Sequence, residues 1–264
     1  MTRVVVTTTD GPSPALETRA RALAARLGHA YVPRGRLTLR VLLDRAQATA
    51  ALILGDDALR YGIPGQAYGF HPNMARQRVA TLVAARGDRL SEVAALRPGD
   101  RFLDCTCGLG ADAIVAAHVV GPPGSVAALE ASPILATLVD HGLRHYRHRD
   151  PALVAAMRRV RVQRASYREL LPTLEDDSWD VVYLDPMFET PVAATRSLDL
   201  VRRLAVRDRP TSADIDHAAR VARRAVIIKD RAPGALLDAL GVPVASRSHR
   251  IWFGALPAST TATV

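Results

Sequence analysis

From Arg97 onward the chain alternates β-branched apolar runs with helical patterns, and this constrains its fold more than any other feature. Strands are expected at 101–106, 125–130, 160–165, 181–185 and 225–230, with helices at 111–120, 133–146, 167–174, 192–206, 212–224 and 234–240. Strands separated by helices pair in parallel, because each parallel return needs a crossover. The closing strands, 242–246 and 251–256, are joined by too few residues for a crossover helix and must be antiparallel. The expected fold class is α/β: a Rossmann-like, mostly parallel sheet ending in an antiparallel hairpin. That ending departs from the plain dinucleotide-binding pattern.

A smaller α/β unit precedes this sheet. Val4-Val5-Val6 is strand-like, and Ser13 can cap a helix carrying Leu16, Ala20, Leu23 and Leu27 that stops at Gly28. Residues 37–46 and 50–54 continue the alternation. The stretch from Tyr61 to Gly69, rich in Gly, Pro and Tyr, reads as a linker, and a helix over 73–85 opens the second part. Two domains are expected, 1–68 and 69–264, the first a candidate for substrate recognition. With 264 residues, 48% of them hydrophobic, a full core is available and global disorder is excluded.

No apolar run approaches the roughly 20 residues of a membrane span, and the first residues lack a signal-peptide core. Cys105 and Cys107 cannot build a disulfide framework, so a reducing cytoplasm is expected. They have no second cysteine pair, so no metal site is expected. The formal charge is +9, and the 35 basic side chains include a single lysine, Lys229. This balance favours polyanionic partners. The clusters Arg158-Arg159-Arg161-Arg164, Arg202-Arg203 and Arg220-Arg223-Arg224 are candidate phosphate contacts, with solvated helix faces as the plainer alternative.

Two motifs carry chemistry. In Leu103-Asp104-Cys105-Thr106-Cys107-Gly108-Leu109-Gly110-Ala111-Asp112-Ala113 a strand ends at an acid, a glycine loop follows and a helix opens. Gly108 and Gly110 allow a tight turn and close approach of a ligand, and the helix start offers unpaired N–H groups. Glu130, ending the next strand, is placed to accept hydrogen bonds from ribose hydroxyls. The loop also satisfies the loose NAD fingerprint. Asp104 argues against NAD, since it would repel a pyrophosphate but attract the ammonium or sulfonium of S-adenosylmethionine (AdoMet). The structural alternatives are a ligand-free turn and a helix-capping Glu130.

In Val181-Val182-Tyr183-Leu184-Asp185-Pro186-Met187-Phe188 a hydrophobic strand delivers an acid, a proline and an aromatic to the sheet edge where α/β folds bind ligands. The pattern resembles the Asp/Asn-Pro-Pro-Tyr/Phe motif of methyltransferases acting on planar amino groups. The Asp185 side chain and the Pro186 carbonyl can accept the amine N–H groups, and Phe188 can stack on the ring. Met187 replaces the second proline. A strand ending in an Asp-Pro turn is the structural alternative. His71, Lys229, Asp230, His249 and Arg250 are further candidates, with capping, packing or solvated roles as alternatives.

The segments LDCTCGLGADAIVAA, LEASPILATLVDHGL, VQRAS, VVYLDPMF, ARVARRAVIIKDR and SHR together resemble the bacterial RsmJ/YhiQ family, over about Phe70 to Phe253. The resemblance implies a class I AdoMet-dependent methyltransferase that modifies guanine N2 in small-subunit ribosomal RNA. It implies that Gly108, Gly110, Ala111 and Asp112 line the AdoMet site, that Glu130 and Ala131 hold the ribose, that Ala165 and Ser166 flank the adenine, and that Asp185 sits between cofactor and amine. Glu189 stands where the family has proline, and Ile251, Trp252 and Phe253 replace its late aspartate and tyrosine. Both changes touch the substrate side. Two other readings are an AdoMet-dependent N-methyltransferase of a small molecule or protein amide, and a non-catalytic AdoMet- or RNA-binding protein. The expected partner is ribosomal RNA or the small subunit, with no membrane. The sequence assigns no oligomeric state.

Overall fold

The computed structural model describes residues 3–186, 196–206 and 208–258. It opens with β1 (Val4–Thr8), α1 (Pro14–Leu27), β2 (Ala30–Tyr31), α2 (Leu39–Ala46), β3 (Ala50–Leu54), β4 (Leu59–Ile63) and β5 (Gln66–Gly69). The sheet order is β2-β1-β3-β4-β5. β1 pairs in parallel with β2 and β3, and the last two strands run antiparallel. Ser13 accepts the Leu16 N–H at 3.2 Å, and Gly28 ends α1 at φ 68°. The chain's start therefore folds as its caps and apolar stripe dictate.

The expected linker at 61–69 is instead the β4–β5 hairpin. Tyr61 faces Tyr68 across it, both rings are buried, and Gly65 turns the chain at φ 80° after Pro64. Gly and Pro punctuate linkers and hairpin turns alike, and only pairing of the flanking strands separates the two.

The second part runs α3 (Asn73–Val83), α4 (Arg89–Val93), β6 (Arg101–Asp104), α5 (Ala111–Val120), β7 (Ser125–Glu130), α6 (Pro133–His145), α7 (Pro151–Arg159), β8 (Val160–Arg164) and α8 (Tyr167–Leu170), which continues as a 3-10 turn. It ends with β9 (Trp179–Leu184), α9 (Arg196–Leu204), α10 (Ser212–Val221), β10 (Ala222–Arg231), α11 (Ala235–Leu240), β11 (Val244–Arg247) and β12 (Ile251–Pro257). The seven-stranded order is β11-β12-β10-β9-β6-β7-β8. Strands β6 to β10 are parallel, β12 is antiparallel to β10, and β11 to β12. This is the expected fold class.

Two local differences stand out. The strand expected from 225 starts at Ala222, where an irregularity in register absorbs Arg223 and Arg224 and α10 stops early. Helix α7 was not anticipated, although Asp150 caps it and Pro151 opens it. The helix expected over 192–206 is described only from Arg196. β6 lies between β7 and β9, so the order in which strands are added reverses there. The carboxyl ends of β6 and β9 form the switch-point crevice of the sheet. One apolar core joins Val4 and Val6 of β1 through Leu138 and Val139 of α6 to Ile227 of β10 and Phe253 of β12.

Candidate active site

The loop after β6 is tied to both neighbouring strands. The Cys105 N–H donates to the Tyr183 carbonyl and the Cys107 N–H to that of Leu129, each at 2.8 Å. Gly108 and Gly110 sit at φ 54° and 75°, the left-handed region that disfavours a side chain. At Gly108 a Cβ would meet only the Thr106 carbonyl, at 3.9 Å, so the loop is open on that side. Helix α5 starts its ladder with the Ile114 N–H on the Gly110 carbonyl, and Gly110 supplies no side-chain cap. The preceding N–H groups, those of Ala111, Asp112 and Ala113, have no acceptor within the helix.

Glu130 locks this loop to the end of β7. Its Oε2 accepts the Gly108 N–H at 3.1 Å and its Oε1 the Ser132 N–H at 2.9 Å. Burial pushes its carboxyl up, and the two N–H bonds oppose that. The Ala165 N–H donates to the Glu130 carbonyl at 3.2 Å, and Ser166 stands at the start of α8. Gly108, Gly110, Ala111, Glu130, Ala131, Ala165 and Ser166 thus lie on adjacent loops of one sheet edge.

A chain of buried and half-buried charges continues from there. Arg78 of α3 forms ion pairs with Asp88 at 2.7 Å and with Asp112 of α5. Lys229 of β10 bridges Asp112 at 3.0 Å and Asp185 at 2.7 Å. The Tyr183 hydroxyl donates to Asp112 at 2.9 Å, and the Asp185 N–H to the Thr106 hydroxyl at 2.6 Å. Asp104, 1% exposed, accepts the Thr106 N–H at 2.9 Å. Burial drives Asp104 well up, as do the Asp112 and Asp185 charges. The two cations hold Asp112 well below the usual carboxylate range against its burial. Burial pushes Asp185 up, with Lys229 pulling it down. Four carboxyl groups share two cations, so a further cation here would favour the charged forms of Asp104 and Asp185.

Several expected roles change. Lys229 is neither a phosphate contact nor a solvated strand end: it is half-buried and held between two carboxylates. Asp112 has both oxygens engaged, which leaves its backbone N–H for a ligand. Asp230 accepts the Leu236 and Leu237 N–H groups and braces the turn into α11. His71 lies edge-on against Tyr146. Arg158 donates to the Leu143 and Tyr146 carbonyls, Arg220 to those of Leu171 and Leu174, and Arg224 pairs with Asp100. Those arginines tie helices and strands together. Met187, Phe188 and Glu189 lie outside the described residues. Arg78, Thr106 and Tyr183 went unrecognised in the sequence. Only Tyr183 had a signal, a hydroxyl inside an apolar strand.

Residues 68–251 match the family model described as "Putative SAM-dependent methyltransferase". The chain belongs to that family. Among relatives of this methyltransferase is Bacillus subtilis (strain 168) YpiP, 34% identical over 94% of this chain and 96% of the relative. Ribosomal RNA small subunit methyltransferase J of Dechloromonas aromatica (strain RCB) is 29% identical over 62% of this chain and 68% of its own. The fold is that of a SAM-dependent methyltransferase from Neisseria gonorrhoeae, with TM-score 0.65 at 18% identity, covering 97% and 96% of the two chains. The methyltransferase is thus an RsmJ-like class I enzyme, and its cofactor is AdoMet. Its residues fit that cofactor. The excess of buried carboxylates suits a sulfonium, and the upward drive on Asp104 is what a neighbouring cation relieves. Glu130 is a fixed acceptor suited to a diol.

Proposed function

We propose that this methyltransferase modifies a guanine exocyclic amine in small-subunit ribosomal RNA. One observation carries the reading. Asp185-Pro186 follows β9 at the switch point, with the Asp185 N–H fastened to Thr106 of the glycine loop at 2.6 Å. Two acceptors for an amine are thereby set beside the loop assigned to the cofactor. In this reading Asp104 faces the sulfonium, while Gly108, Gly110, Ala111 and Asp112 line the loop. Glu130 and Ala131 hold the ribose, and Ala165 and Ser166 flank the adenine.

Bound AdoMet supplies an activated methyl group on sulfur. The chain's residues supply position. An amine conjugated to a ring is a poor nucleophile because its lone pair is delocalised. The Asp185 carboxylate and Pro186 carbonyl accept its two N–H groups and turn the lone pair out of conjugation toward the methyl. Phe188 stacks on the ring, and the base reaches this pocket unstacked from its strand.

Support for an RNA substrate comes from the names of the relatives and from the ligand edge itself. Arg164, exposed, ends β8 at one side, and the exposed Arg247, His249 and Arg250 form the β11–β12 tip at the other. Local contacts brace that tip: the Trp252 indole N–H donates to the Ser248 carbonyl at 3.1 Å, and Arg247 lies 4.7 Å over the Trp252 ring. We further propose 1–68 as a recognition domain and 69–264 as the methyltransferase domain, working on ribosomal RNA or the small subunit in the cytoplasm.

Nucleoside mass spectrometry of ribosomal RNA from a deletion strain tests the substrate. Loss of one methylated guanosine is expected, and an unchanged profile sinks the reading. Binding of the RNA is expected to weaken with salt by about 0.7 log units per phosphate contact per tenfold salt. Replacing Arg247 and Arg250 by alanine is expected to flatten that slope by about one to two contacts.

A further inference from the structure

We propose that Lys229 is a positioning residue for methyl transfer: it grips Oδ2 of Asp185 against Asp112, so that Asp185 meets the target amine as an oriented anion through Oδ1. This role presupposes the reading above, in which Asp185 accepts the target's N–H. Lys229 Nζ lies 2.7 Å from Asp185 Oδ2 and 3.0 Å from Asp112 Oδ2. It is the one lysine in a chain whose other basic side chains are all arginine. The site explains that choice. A compact ammonium can divide its three N–H bonds between carboxylates on two elements, α5 and β10's neighbour β9, whereas a planar guanidinium favours one carboxylate in its own plane.

The consequence is chemical. Without a cation between them, two buried carboxylates drive each other toward protonation. A protonated Asp185 turns an O–H toward an amine that needs an acceptor, and the lone pair stays conjugated. Each element packed around the pair contributes to this balance. Asp112 comes from α5, Arg78 from α3, Asp88 from the start of α4, Asp104 from β6, and the Tyr183 hydroxyl from β9. Arg78 lies across Asp112 from Lys229, so Lys229 is the cation that touches Asp185 among the described residues.

The test is the pH profile of methyl transfer by the full chain to unmethylated small-subunit ribosomal RNA taken from a deletion strain. Lys229→Met is expected to lower kcat by about tenfold or more at neutral pH and to move the acid limb up by about one unit. Lys229→Arg, which keeps the charge, is expected to restore the acid limb and part of kcat. Asp112→Asn removes the repelling anion and is expected to move the acid limb down. Opposite shifts from two variants of one cluster do not arise from loosened packing, and Asp112→Asn keeps the test alive if Lys229→Met does not fold. Calorimetry is expected to show AdoMet binding by Lys229→Met close to wild type, since the lost cation is offset by the proton that Asp185 takes up. An inactive Asp185→Asn beside Lys229→Met and Asp112→Asn profiles identical to wild type overturns the role of Lys229 alone. A fully active Asp185→Asn, or a wild-type chain that leaves both this RNA and small subunits from the same strain unmethylated, overturns the underlying reading as well.

Discussion

Asp185 must stay an acceptor in a place where burial favours its protonated form. With burial pushing its carboxyl up, the acid limb of activity is expected above the ordinary carboxylate range. Asp185→Asn keeps the shape but replaces one acceptor oxygen with an N–H donor and loses the charge, and is expected to cost at least about a hundredfold in kcat. The fold is expected to persist, which circular dichroism can check, and AdoMet affinity is expected to fall by less than kcat, which calorimetry can check. Glu130 makes a different demand. Both its oxygens already accept backbone N–H groups, so Glu130→Gln turns an amide N–H toward one of them. Leaving a buried donor unpaired costs about 1–3 kcal/mol, and AdoMet affinity is expected to fall by about ten- to a hundredfold.

At the scale of elements, the entry to α5 and the last turns of α6 hold glycines with different jobs. Gly110 is needed for its backbone. It lies at φ 75°, and a Cβ there would make only ordinary contacts, with Val139 at 3.5 Å. Gly110→Ala is expected to cost about 1–2 kcal/mol of backbone strain, lowering the melting temperature by about 2–8 °C. It is also expected to weaken AdoMet binding through the displaced loop. Gly142 is needed for its missing side chain, because a Cβ there would overlap the Phe70 ring. Gly142→Ala is expected to cost about 1–3 kcal/mol or more while leaving AdoMet affinity of the folded protein unchanged. Paired calorimetric and binding measurements on the two variants separate these roles.

Across the whole molecule, the apolar core is shared by both sheets, so a single calorimetric unfolding transition is expected. Two resolved transitions would show that the sheets melt independently. Between α1 and α6 lies a cleft lined by Arg19, Arg26, His141, Arg144 and His145. Burial, with the nearby His145 and Arg19 charges, holds His141 down to about 4. Its folded pKa is depressed, so the unfolded chain binds the proton first. The stability from neutral His141 is present above about pH 6.5 and is lost as pH falls toward 4. A His141→Asn variant is expected to lose melting temperature less steeply than wild type across that window.

What could be read from the sequence alone is what depends on local chemistry. The alternation of strands and helices, the caps at Ser13 and Gly28, the short closing hairpin and the loop Asp104 to Asp112 all declare themselves within a few residues. Turn chemistry was ambiguous at 61–69, where pairing of the flanking strands β4 and β5, and not composition, made a hairpin of an apparent linker. The charged centre was beyond reach for a related reason. Asp112, Asp185 and Lys229 stand far apart in the chain, and only the reversal of strand order at β6 sets α5, β9 and β10 around one crevice. The same folding sorted the arginines. Most of the clusters that looked free are consumed by carbonyls and carboxylates inside the molecule, while Arg164 and the β11–β12 tip are carried to the ligand edge by strand direction. Sequence alone determined the sheet and the residue types at its edge. Tertiary structure decided which charges meet, because ion pairing falls off within a few ångströms and bears no relation to separation along the chain.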